Sequence, residues 1–186
     1  AGVAMSKKYL DCPIVYNAIQ ESSQFGYELN NLAKYIYNET HMWPKIAVER
    51  NTGLATIYVL KELNYPDLFR MVDFSASSSQ EKGGIGWVTT GHWSGGELGG
   101  SRRKMLDDMA LAIKQGLFKM YDEEQIKQFK SFMNYRGRAQ AKSNKKDDLV
   151  IATGIANQVQ ALTPSIYLDN FDAEKFREEQ QKWRFK

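Results

Sequence analysis

Three carboxylates in two distant segments have the residue types and positions suited to binding metal ions. Glu49 closes the short apolar run 46–48, and Asp147 and Asp148 open a second apolar run that begins at Leu149. Hard oxygen ligands suit Mg²⁺ or Mn²⁺, and the ends of strands and helices hold such ligands in fixed positions. The sequence therefore predicts a divalent metal site, of the kind that serves phosphodiester chemistry.

Each of these acids also has a purely structural interpretation. Asp148 is suited to cap a helix and to complement its dipole, and Glu49 is placed to pair with Arg50 or a nearby lysine. A helix cap needs only one acid, and this chain has two in a row. Glu49 ends its strand at the carboxyl edge of the sheet, where open α/β folds place their binding sites. We therefore favour the metal site over the separate structural roles.

Strand and helix patterns alternate along the first half of the chain. Compact β-prone runs predict strands over 14–19, 45–49 and 69–74, and apolar residues at helical spacing predict helices over 25–36 and 54–63. The Gly- and Ser-rich segment 75–101 is predicted to form loops around a short strand over 86–90. This alternation predicts an α/β fold with parallel neighbouring strands.

The second half of the chain is predicted to be mainly helical. A helix over 105–117 carries C-terminal signals in Lys114 and Gly116, and a brief strand over 118–120 follows. A short helix around 126–129 runs into 132–135, and a basic loop then leads to a buried helix over 149–162 that stops near Pro164. The Asp pair is thus predicted at the N-cap and first turn of this last helix.

Composition limits the class of protein. A chain of 186 residues with 42% hydrophobic and 25% charged residues fits one globular domain with a substantial core. No segment has the roughly 18 apolar residues of a membrane span, and no signal-peptide pattern is present. The single cysteine, Cys12, excludes an internal disulfide. No Gly-x-x-x-x-Gly-Lys-Ser/Thr pattern occurs, so the glycines do not form a nucleotide P-loop.

Basic residues form two clusters although the net charge is only +3. The first cluster is 102–104, and the second extends from Arg136 to Lys146. Such runs are usually solvated loops, but the second cluster runs up to the Asp pair, which favours contacts with DNA phosphates. The predicted DNA-binding residues are Arg102, Arg103, Lys104, Arg136, Arg138, Lys142, Lys145 and Lys146.

Four short motifs resemble the nuclease domain of the large terminase subunit of tailed bacteriophages. They are Val48-Glu49-Arg50-Asn51-x-Gly53, Ser101-Arg102-Arg103-Lys104-Met105, Ala112-Ile113-x-x-Gly116 and Lys146-Asp147-Asp148-Leu149-Val150-x-Ala152. The resemblance covers most of residues 14–161 and keeps the family's order of motifs. It implies a ribonuclease H-like fold, in which a central mixed β-sheet is flanked by helices. It also implies two-metal cleavage of concatemeric double-stranded viral DNA during head filling.

The resemblance also implies roles for individual residues. Glu49 matches the family's second metal-binding acid, and Asp147 and Asp148 match its terminal acidic pair, with Asp148 the first choice for direct ligation. Two Mg²⁺ or Mn²⁺ ions about 4 Å apart would hold the scissile phosphate. Lys146 stands where the family usually has His or Gly. Lys145, Lys146, Arg136 and Arg138 would contact the DNA backbone without reading sequence.

One departure from the family concerns its first acid. That acid lies on the first strand of the family's sheet, two strands before the element predicted at Ile14, and nothing before Asp11 matches those strands. The comparison predicts a chain that begins inside the nuclease domain, with weak or absent cleavage. Strong cleavage would require a substitute carboxylate, for which Asp11 and Asp73 are the candidates. The full-length chain is expected to carry an ATPase domain as well.

These inferences predict three regions and a set of partners. Residues 1–12 are assigned to a tag or a truncated start, 13–163 to the nuclease domain and 164–186 to a charged C-terminal tail. The expected partners are double-stranded DNA, the portal and the small terminase subunit, with no membrane, in the cytoplasm of an infected bacterial host.

Two alternative functions stay open from the sequence. In the first, the chain has the same fold but is another ribonuclease H-like nuclease, such as a junction resolvase or a transposase core. The other is a non-catalytic DNA-binding or assembly module in which the acids are structural.

Overall fold

The computed structural model of the chain describes residues 1–7, 11–71, 84–89, 101–117, 119–135 and 138–163. The helices in these ranges are α1 (Ser22–Thr40), α2 (Leu54–Glu62), α3 (Ser101–Lys114), α4 (Glu123–Ser131) and α5 (Asp148–Leu162). The strands are β1 (Gly2–Ala4), β2 (Asp11–Cys12), β3 (Ile14–Tyr16), β4 (Lys119–Met120), β5 (Phe132–Tyr135) and β6 (Arg138–Ala141). Asp73, Arg136 and the predicted tail 164–186 lie outside the described residues.

The strands are short and pair in several small groups. β1 pairs antiparallel with β3, β2 pairs parallel with β4, and β5 pairs antiparallel with β6. Residues 46–49, which we call the central segment, form parallel bridges from Ile46 to Leu68 and from Glu49 to Trp87. The predicted α/β class is therefore confirmed. The predicted parallel arrangement is found between the central segment and its neighbours, whereas the first predicted strand pairs antiparallel with β1. Residues 2–4, assigned from the sequence to a tag or a truncated start, form β1.

The helices lie close to their predicted positions. α1 is longer than predicted at both ends and stops at His41, which has a left-handed φ of 56°. The N–H of His41 donates to the carbonyl of Tyr37 at 2.7 Å. After α3, Gly116 has a φ of 66°, and hydrogen bonds from Gly116 N to Ile113 O and from Leu117 N to Ala112 O close the helix in a Schellman motif. The C-terminal signal predicted at Gly116 is thus confirmed.

Two sequence predictions differ from the structure. The first strand extends only over Ile14–Tyr16, not to residue 19. The predicted basic loop is wrong in part, because Arg138–Ala141 is a strand that pairs with Phe132–Tyr135. Phe132 and Ala139 on this hairpin pack against the larger core cluster, so apolar burial compensates for bringing Arg138 into a strand.

The central segment lies between two helical layers. Ile46 and Val48 pack into a cluster with residues of α1 and α2, whereas Ala47 packs against a cluster that contains residues of α3 and α5. This alternation is the period of a strand whose two faces are both covered. β1 alternates in the same way, since Val3 packs against the α3 and α5 cluster and the α-carbon of Gly2 faces Phe25 of α1.

A helix that crosses a membrane must be both long and apolar. Within the part of the chain that the structure describes, none of the helices combines the length and the apolar character needed to cross a bilayer.

Candidate functional site

A single cleft of about 2040 Å³ is lined by all three acids that the sequence singles out. The cleft, which we call the central cleft, is lined by residues of β1, β3, α1, the central segment and α5. Glu49, Asp147, Asp148 and Arg102 all line it. Its volume exceeds the roughly 300–1,000 Å³ of ordinary ligand pockets. Folding therefore brings distant carboxylates to the wall of one large cleft.

Glu49 is held at the end of the central segment by its backbone. Strand alternation places its side chain on the face that it shares with Ala47, toward the layer of α3 and α5. The carbonyl of Glu49 accepts a hydrogen bond from Gly53 N at 2.8 Å. A Cβ atom on Gly53 would lie 2.4 Å from Val48 Cγ1 and 2.7 Å from Glu49 O, so this close turn requires glycine. The motif glycine thus fixes where the strand ends.

Asp147 occupies the predicted N-cap of α5, but its carboxylate does not cap the helix. Arg102 Nη2, from the first turn of α3, lies 3.2 Å from Asp147 Oδ2 and also donates to the carbonyl of Ala139 at 3.4 Å. Both side chains are partly buried, at 24% exposed for Arg102 and 32% for Asp147. Arg102 therefore joins α3, β6 and the start of α5 at the cleft wall.

A side chain of a different helix accepts a hydrogen bond from the backbone at the start of α5. Gln128 of α4, which is buried, accepts a hydrogen bond from Leu149 N at 2.9 Å. Gln125, one turn earlier, donates to Thr153 Oγ1 at 2.8 Å. Sequence reasoning missed both glutamines, because nothing in the local pattern of α4 indicates that they reach a helix twenty or more residues away. These bonds hold the N-terminus of α5, and with it the Asp pair.

Asp148 lies in the first turn of α5, is exposed and lines the central cleft. The amino group of Ala1 is close enough for their charges to interact. Burial lowers the pKa of that amino group below its ordinary value, Asp148 opposes the shift and Lys146 adds to it. Asp148 and Lys146 therefore both lie within charge-interaction range of the amino group of Ala1.

The acids that line the cleft have the chemistry of metal ligands. Within the described ranges, no three side chains of the His, Cys, Asp or Glu types converge closely enough to hold a metal ion. Glu49 and Asp148 present hard oxygen ligands to the cleft, while the Asp147 carboxylate is engaged by Arg102. Asp11, one of the two candidate substitute acids, is absent from the residues that line the cleft. Asp73, the other, lies outside the described residues.

The two predicted basic clusters have different surroundings. Each residue of the first cluster pairs with an acid, since Arg102 contacts Asp147, Arg103 Nε lies 3.5 Å from Asp107 and Lys104 Nζ lies 2.6 Å from Asp108. In the second cluster Lys142, Lys145 and Lys146 are exposed, and none forms an ion pair with another described residue. Arg138 lies in β6 and Arg136 outside the described residues. Of the two clusters, the one beside the Asp pair therefore has cationic groups that are available to an anion.

Comparisons with protein-family models, with curated proteins and with solved structures found no match.

Proposed function

We propose that this chain is the nuclease part of a large terminase subunit, a metal-dependent endonuclease with a ribonuclease H-like fold. Its substrate would be concatemeric double-stranded viral DNA. The observation that carries the proposal is that Glu49, Asp147 and Asp148, from distant parts of the sequence, line the same cleft. The order of the motifs along the chain adds support, because those motifs supply these three acids.

The arrangement of layers also supports the proposal. The central segment lies between the α1 and α2 layer and the α3 and α5 layer, and its neighbours run parallel. Glu49 at the end of that segment and the Asp pair at the start of α5 line the same cleft. Open α/β sheets place their ligands at the carboxyl ends of their strands.

Each group in the cleft has a distinct task under this proposal. Glu49 and Asp148 would hold Mg²⁺ or Mn²⁺, which supplies charge stabilisation at the scissile phosphate when it is bound. Arg102 orients Asp147 through their ion pair. Lys145 and Lys146 are placed beside the Asp pair to contact phosphates of the DNA backbone on either side of the cut.

Titration calorimetry with Mn²⁺ tests the proposal. We expect Glu49→Ala and Asp148→Ala each to weaken Mn²⁺ binding by at least about tenfold, since each removes a carboxylate from a site with few ligands. Glu62→Ala is the matched control, because Glu62 is an exposed carboxylate at the end of α2 and does not line the cleft. Nicking of supercoiled plasmid in Mn²⁺ would be measured on the same variants.

Two results would contradict the metal site. One is Mn²⁺ binding that Glu49→Ala and Asp148→Ala leave at the level of the Glu62→Ala control. The other is no measurable Mn²⁺ binding by the unmodified protein in the presence of duplex DNA.

A second function is favoured by the ion pair between Arg102 and Asp147. A carboxylate that is already paired, in a cleft where no three described acids converge, is also what a non-catalytic DNA-binding or assembly module would show. Such a module would bind duplex DNA equally well with and without Mn²⁺, and Glu49→Ala would leave DNA binding unchanged. Those two measurements separate the functions.

A further inference from the structure

The central segment ends in a sharp turn directly after Glu49. The carbonyl of Glu49 accepts a hydrogen bond from Gly53 N at 2.8 Å, and residues 50–52 form the turn between them. Main-chain pairing with the neighbouring segment extends as far as Arg50, whose N–H donates to Trp87 O at 2.7 Å. The ends of secondary-structure elements open more readily than their interiors. Glu49 therefore needs support from beyond the end of its strand if its carboxylate is to keep one position.

The side chain of Asn51 supplies that support by continuing the pairing within the turn. Its Nδ2 donates to Thr89 O at 2.7 Å, and its Oδ1 accepts from Thr89 N at 3.3 Å. A side-chain amide offers the donor and the acceptor that a peptide unit offers, so it can take the place of one beside a strand. One side chain thus engages both backbone groups of Thr89, two residues beyond the last main-chain pair.

Residues 87–89, which we call the bridging segment, connect this turn with the start of α3. The carbonyl of Val88 accepts a hydrogen bond from the hydroxyl of Ser101, the first residue of α3. The next residue of α3 is Arg102, whose Nη2 lies 3.2 Å from Asp147 Oδ2. The bridging segment is therefore held by the turn after the central segment on one side and by the helix that engages Asp147 on the other.

We propose that Asn51 is a positioning residue for Glu49, and that its pairing with Thr89 holds the Glu49 carboxylate where it can bind a divalent cation. The inference rests on the proposed function, since it requires Glu49 to be a metal ligand. Loss of a group that orients a metal ligand typically lowers metal affinity by about 10- to 100-fold. Asn51 is exposed, so water can replace its amide and the fold should lose little stability. A positioning role and a merely structural role therefore predict different results.

The first test is amide hydrogen exchange of Asn51→Ala, measured by NMR without metal. We expect the Thr89 N–H to exchange at least about fivefold faster than in the unmodified protein, because its acceptor is gone. The Arg50 N–H is the internal reference, since its bond to Trp87 O does not involve the Asn51 side chain. The midpoint of thermal unfolding should change by no more than about 4 °C.

The second test is titration calorimetry with Mn²⁺. We expect Asn51→Ala to weaken Mn²⁺ binding by at least about tenfold and Thr52→Ala to leave it unchanged. Thr52 is the matched control, because it is exposed in the same turn and accepts a hydrogen bond from Ser22 Oγ through its carbonyl rather than its side chain. Adding Asn51→Ala to Glu49→Ala should weaken binding no further, since no carboxylate then remains at residue 49 to be positioned.

Three results would overturn the inference and leave the proposed function intact. The first is exchange of the Thr89 N–H that Asn51→Ala does not change. The second is equal Mn²⁺ affinity of Asn51→Ala and Thr52→Ala when Glu49→Ala weakens binding. The third is a further loss of affinity when Asn51→Ala is added to Glu49→Ala, which would assign Asn51 to the fold. Mn²⁺ binding that Glu49→Ala itself does not weaken would instead contradict the proposed function, and the positioning role with it.

Discussion

At the scale of single residues, the role of a carboxylate depends on the partner that folding brings to it. Asp147 stands at an N-cap, where Asp is favoured for its bond to the helix backbone. Its carboxylate pairs instead with Arg102, from a helix more than thirty residues earlier in the chain. Asp108 shows the same dependence. Burial opposes its ionisation, but hydrogen bonds from Lys104 and Gln158 outweigh burial, so that the pKa of Asp108 lies below its ordinary value.

Gln128 has the largest predicted effect on the start of α5. Gln128→Met removes the acceptor for Leu149 N and leaves a buried donor without a partner, so we expect the free energy of unfolding to fall by about 1–3 kcal/mol. Urea unfolding followed by circular dichroism measures the change. Gln24→Met is the control, since Gln24 is exposed and bonds only to Glu28 on the same helix. Equal stability of the two variants would show that Gln128 does not hold α5.

At the scale of elements, α1 and α2 pack closely because small groups face each other. Gly26 of α1 lies against Val59 and Thr56 of α2. The Thr56 hydroxyl donates to the carbonyl of Ser22 at 2.6 Å, which ties the first turn of α1 to α2. This contact positions the central segment, because Ile46 and Val48 pack against the same pair of helices.

Gly26→Ala tests that contact. A Cβ atom would lie 2.8 Å from Val59 Cβ and 3.1 Å from Thr56 O, so the helices must separate. Alanine favours an isolated helix by about 1 kcal/mol over glycine, but overpacking costs about 1–3 kcal/mol, and we expect a net loss of stability. Thermal unfolding would measure it.

Gly154→Ala on α5 is the matched helical control. A Cβ atom there would meet only the flexible side chain of Met105, at 3.0 Å or more, so the neighbour can move. We expect Gly154→Ala to cost less stability than Gly26→Ala. A larger loss at Gly154 than at Gly26 would contradict the proposed packing of α1 on α2.

At the scale of the whole molecule, the distribution of charge matters more than the net charge of +3. The cations at the start of α3 are paired with acids, whereas three exposed lysines beside the Asp pair have no acidic partner in the described ranges. DNA binding driven by phosphate contacts should therefore depend on the loop before α5.

The triple variant Lys142→Ala, Lys145→Ala, Lys146→Ala tests this dependence. Each lost phosphate contact lowers the slope of log affinity against log salt concentration by about 0.9, so we expect the slope for duplex DNA to fall by about 1–3. Fluorescence anisotropy at several salt concentrations measures the slope. The control is Lys34→Ala, Lys61→Ala, Lys114→Ala, which removes the same charge from exposed positions on α1, α2 and α3. Equal slopes for the two triple variants would show that net charge alone governs binding.

Local patterns in the sequence determined the elements themselves. Apolar spacing located α2, α3 and α5, and Gly116 ended α3 with the left-handed backbone that its position required, because these features depend on residues within a few positions of each other. The sequence also singled out Glu49 and the Asp pair, since carboxylates at element ends carry a recognisable chemistry.

Only the tertiary structure decided which groups meet. The pairing of Arg102 with Asp147 and the bond from Leu149 N to Gln128 both join segments that are distant along the chain. No local pattern encodes such contacts, because they depend on how whole helical layers pack against each other. The strand over 138–141 has the same origin, since the basic cluster around it indicated a loop and Ala139 packs against the core.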